Sequence, residues 1–112
     1  MNSKDVNFTF SHIGVIDDSV DENEEYVPAF DIYRIDADRD PMSFERTKFC
    51  DKSKMNGMGE GEIHIGFDVD DMEKAIKLAD EVILAPVILP ENKQIALIRR
   101  MGVLIELIYR GA

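Results

Sequence analysis

The chain is 112 residues long, enough for one domain with a core of its own, and its 45% hydrophobic and 32% charged content is that of an ordinary globular protein. Thirteen basic residues against 23 acidic ones give a net charge of −10, which argues against a nucleic-acid or anionic-membrane surface, because both need clustered Lys and Arg. No apolar run nears the roughly 20 residues that span a bilayer, the start MNSKDVNF lacks a signal-peptide pattern, and the lone Cys50 has no partner for an intramolecular disulfide. The expected location is therefore the cytoplasm.

Residues 8–16 (FTFSHIGVI) are rich in β-branched and aromatic side chains and read as a strand. Alternation puts Phe8, Phe10, His12 and Gly14 on one face. Residues 17–25 (DDSVDENEE) hold six carboxylates in nine positions with almost no apolar stripe, so they read as a solvated loop or one helical turn. A calcium loop would need spaced acids, a central Gly and a closing Glu, and that pattern is absent. Residues 26–36 (YVPAFDIYRID) read as one strand whose start Pro28 confines to an edge or a bend. Residues 37–41 are turn chemistry, and residues 42–50 (MSFERTKFC) read as the next strand, with Glu45 its one acid. Cys50 is expected to be a small buried residue. Residues 51–61 (DKSKMNGMGEG) read as a flexible connection lying over a pocket mouth, with Met55 and Met58 as apolar cover.

The second half opens with a strand at 62–69. Ile63, Ile65, Phe67 and Val69 are its expected apolar face, and Glu62, His64, Gly66 and Asp68 the other. Asp70 with Glu73 three positions on reads as a helix cap. Met72, Ala75, Ile76 and Ala79 then form an apolar stripe that ends near Asp80. Three strands follow, at 81–89, 93–100 and 103–110, separated by turn residues 90–92 and by Met101-Gly102.

The tripeptide His12-Ile13-Gly14 returns as His64-Ile65-Gly66, and these are the chain's two histidines. His12 to Glu45 spans 33 positions and His64 to Glu106 spans 42. The first half is short by about a helix, which fits a duplicated module whose first copy has lost its helix. Taken singly, each histidine has an ordinary structural reading, and Glu45 has Arg34 or Arg46 as an alternative surface partner.

The run His64-Ile-Gly-Phe-Asp-Val-Asp-Asp, the helix after it, Ile95-Ala-Leu-Ile and Gly102-Val-Leu-Ile-Glu106-Leu-Ile resemble the second module of the vicinal oxygen chelate superfamily. That superfamily includes glyoxalase I, methylmalonyl-CoA epimerase, extradiol dioxygenases and the fosfomycin and bleomycin resistance proteins. The resemblance runs over residues 62–110, extends to residues 10–16 and is weak over 17–61 apart from Glu45. Arg99-Arg100-Met101-Gly102 keeps only the glycine of the turn common there. The resemblance implies an α+β fold in which two paired βαβββ modules (here about 8–50 and 62–110, within one domain over 1–112, the first-module helix shortened or missing) form a curved, barrel-like sheet. It also implies a divalent metal held by His12, Glu45, His64 and Glu106, drawn from the first and last strands of each module.

Two imidazoles and two carboxylates suit Zn²⁺, Ni²⁺, Co²⁺, Mn²⁺ or Fe²⁺ better than Ca²⁺. Open coordination positions would take a substrate with two adjacent oxygens, the metal acting as a Lewis acid while a carboxylate ligand, Glu106 or Glu45, takes a proton from the neighbouring carbon. The expected function is a metal-dependent lyase or isomerase of the glyoxalase/epimerase type, acting on a small α-hydroxy- or α-keto-carbonyl compound. The alternative is a non-catalytic binder of a small molecule on the same fold, as in the resistance proteins. Exposed sheet edges and a shortened first half make a homodimer the expected assembly.

Overall fold

The computed structural model describes residues 5–51 and 62–111. Among the described residues, eight strands, β1 (Phe8–Ile16), β2 (Glu25–Val27), β3 (Ile32–Ile35), β4 (Phe44–Phe49), β5 (His64–Val69), β6 (Glu81–Ile88), β7 (Gln94–Arg100) and β8 (Val103–Tyr109), are hydrogen-bonded in the order β2-β3-β4-β1-β5-β8-β7-β6, parallel between β1 and β4 and antiparallel along β2-β3-β4 and β8-β7-β6. A mixed sheet with little helix agrees with the α+β expectation. The chain forms two compact units. One, here the His unit, is His12–His64. The other, the helical unit, is Met1–Ser11 with Ile65–Ala112. The division falls inside β1 (Phe8–Ile16) and at the start of β5 (His64–Val69).

In the His unit, the predicted single strand over 26–36 is a hairpin instead. β2 (Glu25–Val27) and β3 (Ile32–Ile35) flank a turn in which Asp31 takes a positive φ of 54°. Pro28 is the reason: it has no N–H for a ladder, so the chain bends there rather than continuing. The register pairs Glu25 with Arg34 and Tyr26 with Tyr33, whose rings lie 5.0 Å apart. Tyr33 thus packs within the hairpin. A 3-10 turn (Ala37–Arg39), capped by the Asp36 side chain, leads into β4 (Phe44–Phe49), close to the expected strand. Between β1 and β2 the described residues form no helix. The acidic loop is held by one apolar anchor that charge counting missed: Val20 is 2% exposed. Cys50 is exposed rather than buried, because it lies just past the end of β4. The predicted connection over 51–61 falls outside the described residues except for Asp51.

In the helical unit, α1 (Met72–Ile76) packs on β7 (Gln94–Arg100) and β8 (Val103–Tyr109). The helix is shorter than predicted and capped one residue later. Asp71, not Asp70, accepts from Lys74 N–H at 3.0 Å. Asp70 is engaged elsewhere, accepting from the Asn7 backbone N–H at 2.9 Å and from its side-chain amide at 2.7 Å. Beyond Ile76 the turn tightens to Leu78 N–H→Ala75 and Ala79 N–H→Ile76 bonds, which swing the chain into β6 (Glu81–Ile88). The apolar stripe holds: Met72 and Ala75 are buried with Val6, Val69, Ala96, Ile98 and Leu107, and Ile76, Ala79 and Tyr109 pack against them. The β7–β8 turn is Met101 (φ 52°) and Gly102 (φ 79°), two positive φ values in succession, the geometry of a two-residue type I′ hairpin. β6 carries register shifts on either side of Leu84, where Pro86 can give no ladder hydrogen bond. Along β5 the expected apolar face holds at Val69, which is buried, but His64 and Gly66 of the other face are buried as well, and Ile63 is 57% exposed just before the strand. Among the described residues, no helix is long and apolar enough to cross a membrane.

Asp17 closes the acidic loop. Its carboxylate accepts from Ser19 hydroxyl and backbone N–H and from Arg46 Nε at 2.9 Å, and these bonds lower its pKa to about 2. A carboxyl acidified by folding stabilises the native state above its unfolded pKa, and that contribution fades as pH falls through the folded value. Asp17→Asn should therefore cost about 1 kcal/mol at neutral pH, after allowance for solvent screening. The gap from the parent protein should narrow between about pH 4 and pH 2. Denaturant midpoints of both proteins across that range measure it.

Candidate metal centre

Three of the four predicted ligands converge within the His unit. His12, Glu45 and His64 each offer one ligand atom, and these atoms lie within 4.8 Å of one another. The strand pairing explains how. β1 and β4 run parallel with Gly14 beside Glu45, so Glu45 lies one period-two step from His12 along the same face of β1. His64, the first residue of β5, turns its ring into the space over Gly14. A Cβ added at Gly14 would stand 2.0 Å from His64 Cε1 and 2.2 Å from its Nε2. Glycine at 14 is thus the opening that the second imidazole fills. The repeat in the sequence carries this glycine as well as the histidine, and its packing role is the part that periodicity does not disclose.

Both imidazoles are buried, His12 at 4% and His64 at 5% exposure. Their rings stand edge to face at 89°, with the two Nε2 atoms 3.4 Å apart. That is long for an N–H···N hydrogen bond, whose range is about 2.7–3.2 Å. It matches the separation of about 3.3 Å between two nitrogens bound tetrahedrally to one ion at ordinary Zn–N lengths. Glu45 Oε1 lies 3.7 Å from His12 Nε2. Its other oxygen, Oε2, accepts from Arg34 Nη1 at 2.9 Å, and the side chain is 14% exposed. The carboxylate is thereby oriented with one oxygen committed to a guanidinium and the other toward the imidazole.

Arg34 is the centre of its own cluster. It donates to Glu25 through Nε and to Asp36 through Nη2 at 2.9 Å, in addition to Glu45. Burial works against its charge, but the Glu25 hydrogen bond and the fields of Glu45 and Asp36 outweigh that, and its pKa is raised. The sequence reading offered Arg34 and the metal as alternative partners for Glu45. The structure gives Glu45 Arg34 on one oxygen and an approach to His12 on the other. Arg46, the other alternative, pairs with Asp17 instead.

The donor set fits a transition metal. Two imidazoles and a carboxylate, two of the three side chains more than nine-tenths buried, are the N/O ligands that Zn²⁺ and its neighbours prefer. Glu106 lies in the helical unit, at the middle of β8 opposite Leu97 of β7. It is half-buried, and its same-face neighbours Leu104 and Ile108 are 1% and 3% exposed.

No protein-family model matches the chain, and no curated protein matches it. Among solved structures, it is similar to the crystal structure of hypothetical protein BH1468 from Bacillus halodurans C-125. The TM-score is 0.63, at 18% identity, over 94% of this chain and 96% of that one. A likeness at that identity is a likeness of fold, and it runs nearly end to end in both chains.

Gly14→Ala tests the packing of the three side chains. The added methyl collides with the His64 ring, so the ring must leave its place. The expected results are a loss of about 1–3 kcal/mol in stability from overpacking and at least a tenfold weaker uptake of Zn²⁺ than the parent, measured by denaturation and by competition with a chromophoric chelator.

Proposed function

We propose that the chain is a metal-dependent lyase or isomerase of the glyoxalase/epimerase type, acting on a small compound with two adjacent oxygens. The observation that carries the reading is the convergence of His12, Glu45 and His64 within 4.8 Å in a largely buried setting. Glu106 is proposed as the fourth ligand, from the resemblance of its strand to the last strand of a vicinal oxygen chelate module. The metal is Zn²⁺, Ni²⁺, Co²⁺, Mn²⁺ or Fe²⁺, on donor chemistry alone.

When bound, the metal supplies Lewis-acid stabilisation of the negative charge that develops on the substrate oxygens as a proton leaves the neighbouring carbon. The chain's own contribution is position and proton transfer. His12 and His64 hold fixed places because both are packed in the interior, and a fixed site loses little to reorganisation. Glu45 is steadied by Arg34 through Oε2. Glu106 or Glu45 is the proposed proton acceptor, and the bond to Arg34 restrains the movement that Glu45 would need in order to reach a substrate proton. A homodimer and a cytoplasmic location belong to the same proposal.

Metal analysis of protein purified without chelator or nickel resin tests it, with His64→Ala in parallel. One transition-metal ion per chain, lost in the variant, is the expected result. It would be followed by turnover of hemithioacetal or acyl-CoA epimer substrates that Glu106→Gln abolishes. Metal absent from the parent, with no uptake of Zn²⁺, Ni²⁺, Co²⁺ or Mn²⁺, would overturn the enzyme and leave a small-molecule binder of the same fold.

A further inference from the structure

The helical unit contains a cavity of about 360 Å³ that the proposed reaction does not use. Its floor is the face of β7 and β8 that carries Ile98, Ile105 and Leu107. Ile105 and Leu107 flank Glu106 in sequence, so they project from the opposite face of β8. The cavity and Glu106 are thus on different sides of the strand. One wall is Ala75 and Leu78, from α1 and the turn after it. The cause is the length of the helix. α1 is capped at Asp71 and ends at Ile76, where the chain tightens and turns into β6, so five helical residues cover only part of the apolar sheet face. Phe8 and Phe67, rings 6.1 Å apart and tilted at 53°, close another side. Phe8 is 40% exposed there.

Among the described residues, one charged side chain lines this space. Arg100, the last residue of β7, donates through Nη1 to Leu78 carbonyl oxygen at 2.7 Å. That bond fixes the guanidinium at the wall and uses one of its five N–H donors. Asp80, the acid in the adjoining turn, accepts from Met101 N–H at 2.7 Å and so is occupied on the hairpin side. A cavity of this size lies within the range of small-molecule sites, which are mostly apolar with a few placed polar groups.

We propose that this cavity binds a medium-chain monocarboxylate, its alkyl chain over Ile98, Ile105 and Leu107 and its carboxylate on Arg100. The guanidinium selects the head group, because a planar fork of donors matches a carboxylate and not an alcohol. The apolar walls select the tail by area removed from water. The site is independent of the metal centre and stands or falls without it.

Octanoate and 1-octanol are the probes, titrated into the full chain and read by the shift in thermal midpoint and by displacement of anilinonaphthalene sulfonate fluorescence. Octanoate should raise the midpoint and bind about tenfold more tightly than octanol, the difference that one hydrogen bond to a charged group supplies. Arg100→Gln should equalise the two ligands while octanol binding persists, and Arg100→Lys should restore part of the preference. Ile105→Trp, which fills the cavity, should abolish both, with the fold confirmed by circular dichroism. Binding should survive in His64→Ala, which separates it from capture of the carboxylate at the His unit. Absence of octanoate binding, an unchanged preference in Arg100→Gln, or full binding in Ile105→Trp would each overturn the proposal, as would loss of binding in His64→Ala.

Discussion

A missing side chain at Gly14 is the constraint on which the His unit depends. The parallel register of β1 against β4 sets Gly14 beside Glu45, with His12 one step away on the same face. Only a residue without Cβ lets the His64 ring occupy the space above it. Three residues far apart in sequence thereby meet, without a loop to carry them. Sites built on strands hold their geometry better than sites on loops, since each ligand's backbone is fixed by a ladder. Arg34 extends the same logic outward: through three carboxylates it ties β2, the end of β3 and Glu45 together around one guanidinium.

The two units fill their interiors differently. In the helical unit the buried set is apolar, from Val6 and Val69 through Leu107 and Ile108. Among the described residues of the His unit, the buried hydrophobic ones are Val20 and Ala37, and the buried polar ones are His12, Thr47 and His64. Buried polar groups cost free energy unless they are partnered, and a stabilising role would be met more cheaply by aliphatic side chains. Polar interiors are concentrated where chemistry is done. The contrast supports a functional rather than a packing origin for the two histidines, and it follows from burial alone, without recourse to resemblance.

Much of the strand pattern was legible because strong local signals agreed with it. The bounds of β1, β7 and β8 follow from β-branched runs bounded by turn residues, and Met101-Gly102 marks a hairpin that the positive φ values make explicit. The pairing of His12 with His64 was visible in the repeated tripeptide. Other features turned on partners far away in sequence. Asp70 and Asp71 are equally good caps by type, and only the tether to Asn7 decides between them. The run over 26–36 looks continuous until Pro28 and Asp31 are allowed to turn it. Along β5, apolar alternation named Ile63, Ile65, Phe67 and Val69 as the inner face. The burial of His64 and Gly66 on the other face follows from the ring's fit over Gly14, which no one-strand pattern contains. Cys50 was assigned by residue type, and its position past the end of β4 outweighed that tendency.

The proposed centre is one metal ion shared by His12, Glu45 and His64. Titration with Co²⁺, followed by its visible absorption, tests this most directly, because the bands report both stoichiometry and ligand geometry. The expected result is saturation at one ion per chain with the intense bands of a low-coordinate, imidazole-bound site, and their loss in both His12→Ala and His64→Ala. Weak absorption identical to aqueous Co²⁺, or bands unchanged in either variant, would contradict it.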